Sequence, residues 1–235
     1  MSKAPFTGSK NVIRFAAIAA LALGASASQP TFAGSIDTTP LWDGSSQISC
    51  WGLGYYCTSS YGQIFSTTQP GALQDFTFYI KPNDSNSTNY VAYLYQWDIL
   101  SNAPTGSELW NSGPNVFQGT AGSFSEVTHS TGGIGLSPGT SYIAFLSTVG
   151  QPSSDGYNNW GSFQDLLPGL SWTWSNDGSS FLTTWDGPFF PGNFAFKATI
   201  TSTPAPLPLF GGAAAFGLSR RLRKRVHAAR HPESH

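Results

Sequence analysis

Trp172 and Trp174 are the residues whose type and spacing point most directly to chemistry. Two apart on an extended strand, they project from one face. Two flat rings side by side can stack on the apolar faces of sugars, with nearby Asn and Asp side chains gripping hydroxyls. The same rings serve equally well as core filling, because aromatic side chains bury large areas, and exposure decides between the two. Carboxylates are the second resource. Asp37, Asp43, Asp75, Asp84, Asp98, Glu108, Glu126, Asp155, Asp165, Asp177 and Asp186 offer many pairs. Glycoside hydrolysis needs two such groups about 5–9.5 Å apart with divergent pKa values. Four of the nine Asp, however, precede Gly (43–44, 155–156, 177–178, 186–187), where turn formation accounts for them.

Other candidates are thinner. The segment Pro82–Asn89 is crowded with oxygen ligands, and Asn83, Asp84 and Asn86 are its candidate Ca²⁺ ligands. It lacks the Gly and terminal Glu of an EF-hand loop, and a solvated turn is the competing reading. His129, in Glu126-Val-Thr-His-Ser130, is the one histidine outside the terminal segments, so any Ser-His-Asp arrangement would need it. A lone histidine on a strand is expected at the surface. No paired-histidine zinc motif, nucleophile elbow, phosphate-cradling loop or dinucleotide fingerprint is present. The chain is therefore read as non-enzymatic, with no catalytic residues assigned. Cys50 and Cys57 are the only cysteines and permit one intramolecular disulfide, closing a small loop around Trp51–Tyr56.

The elements that would position these residues are strands. Only 10% of residues are charged, while 26 Gly, 16 Pro and 14% aromatics mark short aromatic runs between turns. In Leu73–Ile80, Phe76, Phe78 and Ile80 share a face; in Asn193–Ile200, Phe194, Phe196, Ala198 and Ile200 do. Residues 90–97 and 140–149 read as strands, and weaker ones are expected at 62–67, 107–110, 115–118, 123–128, 158–163, 171–174 and 181–185. Nine or ten short strands at this spacing predict an all-β, antiparallel β-sandwich of the jelly-roll type over residues 34–203.

Charge is segregated along the chain. From Ser35 to Thr203 there are two bases, Lys81 and Lys197, against eleven acids, a net charge of −9. An acidic body repels phosphate backbones, which argues against a nucleic-acid partner. The remaining bases flank apolar terminal segments. Residues 1–33 have the order of a secretory signal peptide: Lys3, Lys10 and Arg14, then the apolar run Phe15–Leu23, then small residues ending at Ala27 or Ala33. Residues 204–225 reverse that order. Pro204, Pro206 and Pro208 precede the apolar or small-residue stretch Leu207–Ser219, about 20 Å long if helical. Arg220, Arg221, Arg223, Lys224 and Arg225 follow, a cluster that holds its end of a membrane segment on the cytoplasmic side. A tail of ten residues, 226–235, closes the chain.

This C-terminal order resembles the PEP-CTERM sorting signal handled by exosortase-type membrane enzymes, in a variant with Pro204-Ala205-Pro206 at the proline motif. Leu136–Leu146 is similar to the jelly-roll-like domains often carried by such tail-sorted proteins. The resemblance implies a Gram-negative bacterium, signal peptidase and an exosortase-like enzyme as processing partners, and delivery to the cell surface or extracellular matrix. Inner-membrane anchoring through the C-terminal segment is then transient if the tail is removed; a plain retained anchor is the alternative. The resulting expectation is an exported, non-enzymatic structural or adhesive protein. A carbohydrate-binding module for extracellular polysaccharide is the second reading and a glycoside hydrolase the third.

Overall fold

The computed structural model describes residues 34–52, 57–153, 155–165, 167–177, 180–187 and 191–202. Residues 1–33, expected to be a signal peptide, the expected sorting-signal residues Pro204, Pro206, Pro208, Arg220, Arg221, Arg223, Lys224 and Arg225, and residues 226–235 lie outside the described residues. Among the described residues no helix is long and apolar enough to cross a membrane.

Among the described residues twelve strands run in order: β1 (Ile36–Asp37), β2 (Gln47–Trp51), β3 (Ser60–Ser66), β4 (Gly71–Pro82), β5 (Thr88–Asp98), β6 (Ala103–Phe117), β7 (Ser125–Leu136), β8 (Ser141–Ser147), β9 (Asn158–Phe163), β10 (Ser171–Ser175), β11 (Asn193–Phe194) and β12 (Phe196–Ser202). All their pairings are antiparallel, in two sheets. One contains the path β1-β12-β4-β7 and the other β3-β8-β5-β6. Counted by their own order in the chain, these eight strands run 1-8-3-6 and 2-7-4-5, the order of a jelly roll. Four further strands extend the frame: β2 and β11 pair with β9, β9 pairs with the end of β4, and β10 pairs with β3.

Period-two alternation places the core. Phe76, Phe78 and Ile80 on β4, and Phe194, Phe196, Ala198 and Ile200 on β11–β12, all turn inward and are buried. Tyr61, Phe65, Tyr90, Leu94, Tyr142 and Leu146 meet them from the facing sheet. Trp160 is wholly buried at the centre, its ring 4.6 Å from Phe78 and 4.8 Å from Phe194. Five of the eight Trp (51, 97, 160, 172 and 185) are buried, so packing claims most of them.

Several expectations need correction. Residues 107–110 and 115–118 belong to one long strand, β6, and the 123–128 strand continues to Leu136 through Gly132-Gly133, both at positive φ beside a bulge. The two strands β1 and β2 were not anticipated. Residues 181–185 form no strand. Trp185 Nε1 donates to the Phe181 carbonyl (2.5 Å), which bends the segment, and Phe181 and Trp185 lie over the outer face of β5 and β8. There they complete a second apolar cluster with Tyr93, Tyr95, Trp97 and Phe145. The strap is tied down by Asn102 Nδ2 to the Trp185 carbonyl (2.8 Å) and the Thr173 hydroxyl to the Asp186 carbonyl (2.6 Å).

His129 is buried, not on the surface. β7 turns Val127, His129 and Thr131 inward, and the imidazole packs against Phe76 and Trp110 and pairs with the Tyr90 hydroxyl at 3.2 Å. Burial lowers its pKa to about 4 and pushes that of Tyr90 up to about 12, so both groups are neutral near pH 7.

Candidate functional site

Cys50 and Cys57 form a disulfide, a bond of oxidising compartments. It closes the loop at the end of β2, the strand that pairs with β9 at the open side of the sandwich. Beside that strand lies a cleft of about 620 Å³, walled by Leu41, Asp43 and Ser46 to Ser49 on one side, by Ser162, Phe163 and Gln164 on another, and by Trp172 and Pro191. Four separate stretches of chain therefore build it: the turn before β2 with β2 itself, the end of β9, β10, and the segment leading into β11.

The cleft chemistry is amide, hydroxyl and ring. Gln47 and Gln164 are exposed, and their side-chain amides make no hydrogen bond to another described residue. Among the described residues, Asp43 is the only charged one on the walls. Its carboxylate accepts from the Ser45 and Ser46 amides (2.7 and 2.6 Å) and from the Ser46 hydroxyl (2.7 Å). Those donors hold it well below the usual carboxylate range, so it is ionised and committed to its turn. Trp42, next to it, donates from Nε1 to the Ser46 carbonyl at 2.7 Å, and that bond fixes the turn on the other side.

The predicted ring pair takes a different place from the one expected of a sugar platform. Trp172 and Trp174 do share a face of β10, but it is the inward face, opposite Gln63 and Tyr61 of β3. Trp172 is only 3% exposed, packed on Tyr61 and Phe194, and meets the cleft as part of its wall; Trp174 is half-buried against the core. Two exposed rings side by side are not formed.

The oxygen-rich loop is tied down by hydrogen bonds, within itself and to neighbouring segments. Asn83 exchanges two amide hydrogen bonds with Asn159 (3.0 Å each), and Asp84 accepts from the backbone amide and side chain of Asn86 (3.0 and 3.4 Å). Among the described residues no group of three or more His, Cys, Asp or Glu gathers as a metal site.

No protein-family model matches this chain, and no curated protein matches it. The site must therefore be read from its own chemistry. Sequence reasoning missed Gln47, Gln164, Ser49 and Ser162. Only the weak alternation of 158–163 pointed towards any of them, and β2 carries too few apolar residues to announce itself.

Proposed function

We propose that this chain is an exported, non-catalytic β-sandwich module that adheres to neutral extracellular polysaccharide through the cleft beside β2 and β9. One observation carries the reading: a cleft large enough for a small ligand is walled by free amides, hydroxyls and the partly exposed Phe163 ring, and the one charge among its described residues is already engaged. Pyranoses present the complementary surface, hydroxyls around apolar C–H faces. Among the described lining residues Asp43 has no second carboxylate beside it of the kind glycoside hydrolysis requires, which favours holding a glycan over cutting it. The disulfide and the acidic body suit an extracellular setting. The secretory order of residues 1–33 and the PEP-CTERM-like order of 204–225 supply the route: export, then sorting to the cell surface or matrix by an exosortase-type enzyme.

The test is a glycan array carrying neutral, amino-sugar and uronic-acid polysaccharides, probed with the purified full-length chain. Binding to neutral polymers is expected. Gln47→Ala and Gln164→Ala should each weaken it about threefold to tenfold, the worth of one hydrogen bond. Absence of binding to every polymer refutes the adhesive reading, and release of soluble sugar from a bound polymer refutes the non-catalytic one.

A further inference from the structure

The outer face of the β1-β12-β4-β7 sheet should carry solvated side chains, yet three aromatic rings meet there. Trp42 lies 5.4 Å from Tyr79 and 4.7 Å, edge-on, from Phe124, and all three are partly exposed. The geometry points to a second polysaccharide contact: this patch continues the cleft, so that the module grips the interior of a long, neutral pyranose chain instead of a terminal sugar. The inference rests on the cleft reading above.

Continuity comes first. Leu41, Asp43 and Ser46 wall the cleft, and Trp42, within the same turn, reaches over the patch. A linear polymer leaving the cleft across this turn meets Trp42 next.

Preorganisation comes second. The indole is seated over Gly161 of β9, where a Cβ would come within 2.8 Å of Trp42 Cζ2, so only glycine leaves the ring its place. With Nε1 bound to Ser46, little side-chain freedom remains to be lost on binding.

The rim is the third argument. Tyr79 donates to Glu126 (2.5 Å), Lys197 pairs with Glu126 (3.3 Å) and sits 5.3 Å from the Tyr79 ring centre, and Lys81 sits 5.1 Å from the Phe124 ring centre. Both bases of the domain are thus held over rings, and one is already neutralised. Hydroxyls can exchange hydrogen bonds with such a rim, whereas a polyanion would face a body of charge −9.

Presentation agrees. Gly34, Ser35 and Ser202, where the described chain begins and ends, line one small cavity beside Pro70. Tyr79 lies eight residues along β4 from Gly71, roughly 26 Å away at strand rise. The patch is therefore remote from the end by which a C-terminal anchor would hold the domain.

Titration calorimetry of the full-length chain with β-1,4- and β-1,3-glucan oligomers, from disaccharide to octasaccharide, decides the matter. Affinity should keep rising with length, and added salt should leave it unchanged. Tyr79→Ala and Phe124→Ala, neither of which lines the cleft, should each lower the octasaccharide-to-disaccharide affinity ratio about tenfold. Using both variants guards against one that fails to fold. A plateau at the shortest oligomers, or a ratio unmoved by both substitutions, overturns the second contact while the cleft stands. If no oligomer binds the wild-type chain, the extended contact is refuted, and the glycan array decides separately whether the cleft reading falls with it.

Discussion

Acidification should loosen this fold well before its carboxylates titrate, because His129 is held neutral inside it. Its pKa falls from 6.5 to about 4 on folding, the sole cause being burial. The unfolded chain therefore binds more protons than the folded one between those values, and stability must fall as pH falls through that window. Linkage with those two values gives a loss of about 2 kcal/mol between pH 7 and pH 5, and about 3 kcal/mol by pH 4. Asp98 and Glu126 have lowered pKa values, Asp98 through hydrogen bonds from Ser101 and Leu100, Glu126 through Tyr79 and Lys197. Their stabilisation is present above the ordinary carboxylate range and is lost only below it, so the interval from pH 6.5 to 5 isolates the imidazole. Residues 34–202 contain no other histidine. Urea unfolding followed by tryptophan fluorescence at pH 7 and pH 5 should show the midpoint dropping in the wild-type chain. In His129→Gln, which keeps a neutral hydrogen-bonding group opposite Tyr90, the drop should vanish. Equal stability of the wild type at the two pH values, or an equal loss in the variant, would refute the argument.

Reducing the Cys50–Cys57 bridge, which spans a sequence separation of seven, should cost about 2.5 kcal/mol from the loop-entropy relation; denaturation with and without reductant measures it. Gly161→Val should displace the Trp42 indole, changing its near-UV circular dichroism and lowering stability by roughly 1–3 kcal/mol. Trp185→Ala removes the strap's most buried ring from the second apolar cluster and should cost about 3 kcal/mol or more. Hydrogen exchange should then rise at the β8 amides beneath it while those of β4 hold.

The framework was legible where one face of a strand is apolar throughout. Phe76, Phe78 and Ile80, or Phe194, Phe196 and Ala198, leave no other register that keeps their rings dry. Legibility failed where that contrast is missing. β2 reads Gln-Ile-Ser-Cys-Trp, an edge strand in which Gln47 and Ser49 are exposed, Ile48 and Cys50 half-buried and only Trp51 deeply buried. β7 hides its inward face behind polar types, since His129 and Thr131 occupy it and are satisfied by Tyr90 and the Leu73 carbonyl (2.5 Å). Residues 181–185 carry β-type residues, but the Trp185 indole donates back to the Phe181 carbonyl, and the segment bends into a strap that lays both rings on the sheet without pairing as a strand.

The cleft was illegible for a deeper reason. Period-two spacing told correctly that Trp172 and Trp174 share a face, but not which face: Trp172 is buried on one side of β10 and Thr173 on the other, while Asp186 pairs along its edge. Which side of a sheet is dry depends on what the rest of the chain lays over it. Gln47, Gln164 and Trp172 come together only because β9 pairs with β2 while β10 pairs with β3 across the sandwich. A local motif can encode a metal loop or a nucleophile turn because its ligands share one stretch of backbone. The polysaccharide surface proposed above would need no such spacing, only neutral donors and rings at a rigid rim, and a cleft between two sheet edges can collect its lining from residues more than a hundred positions apart.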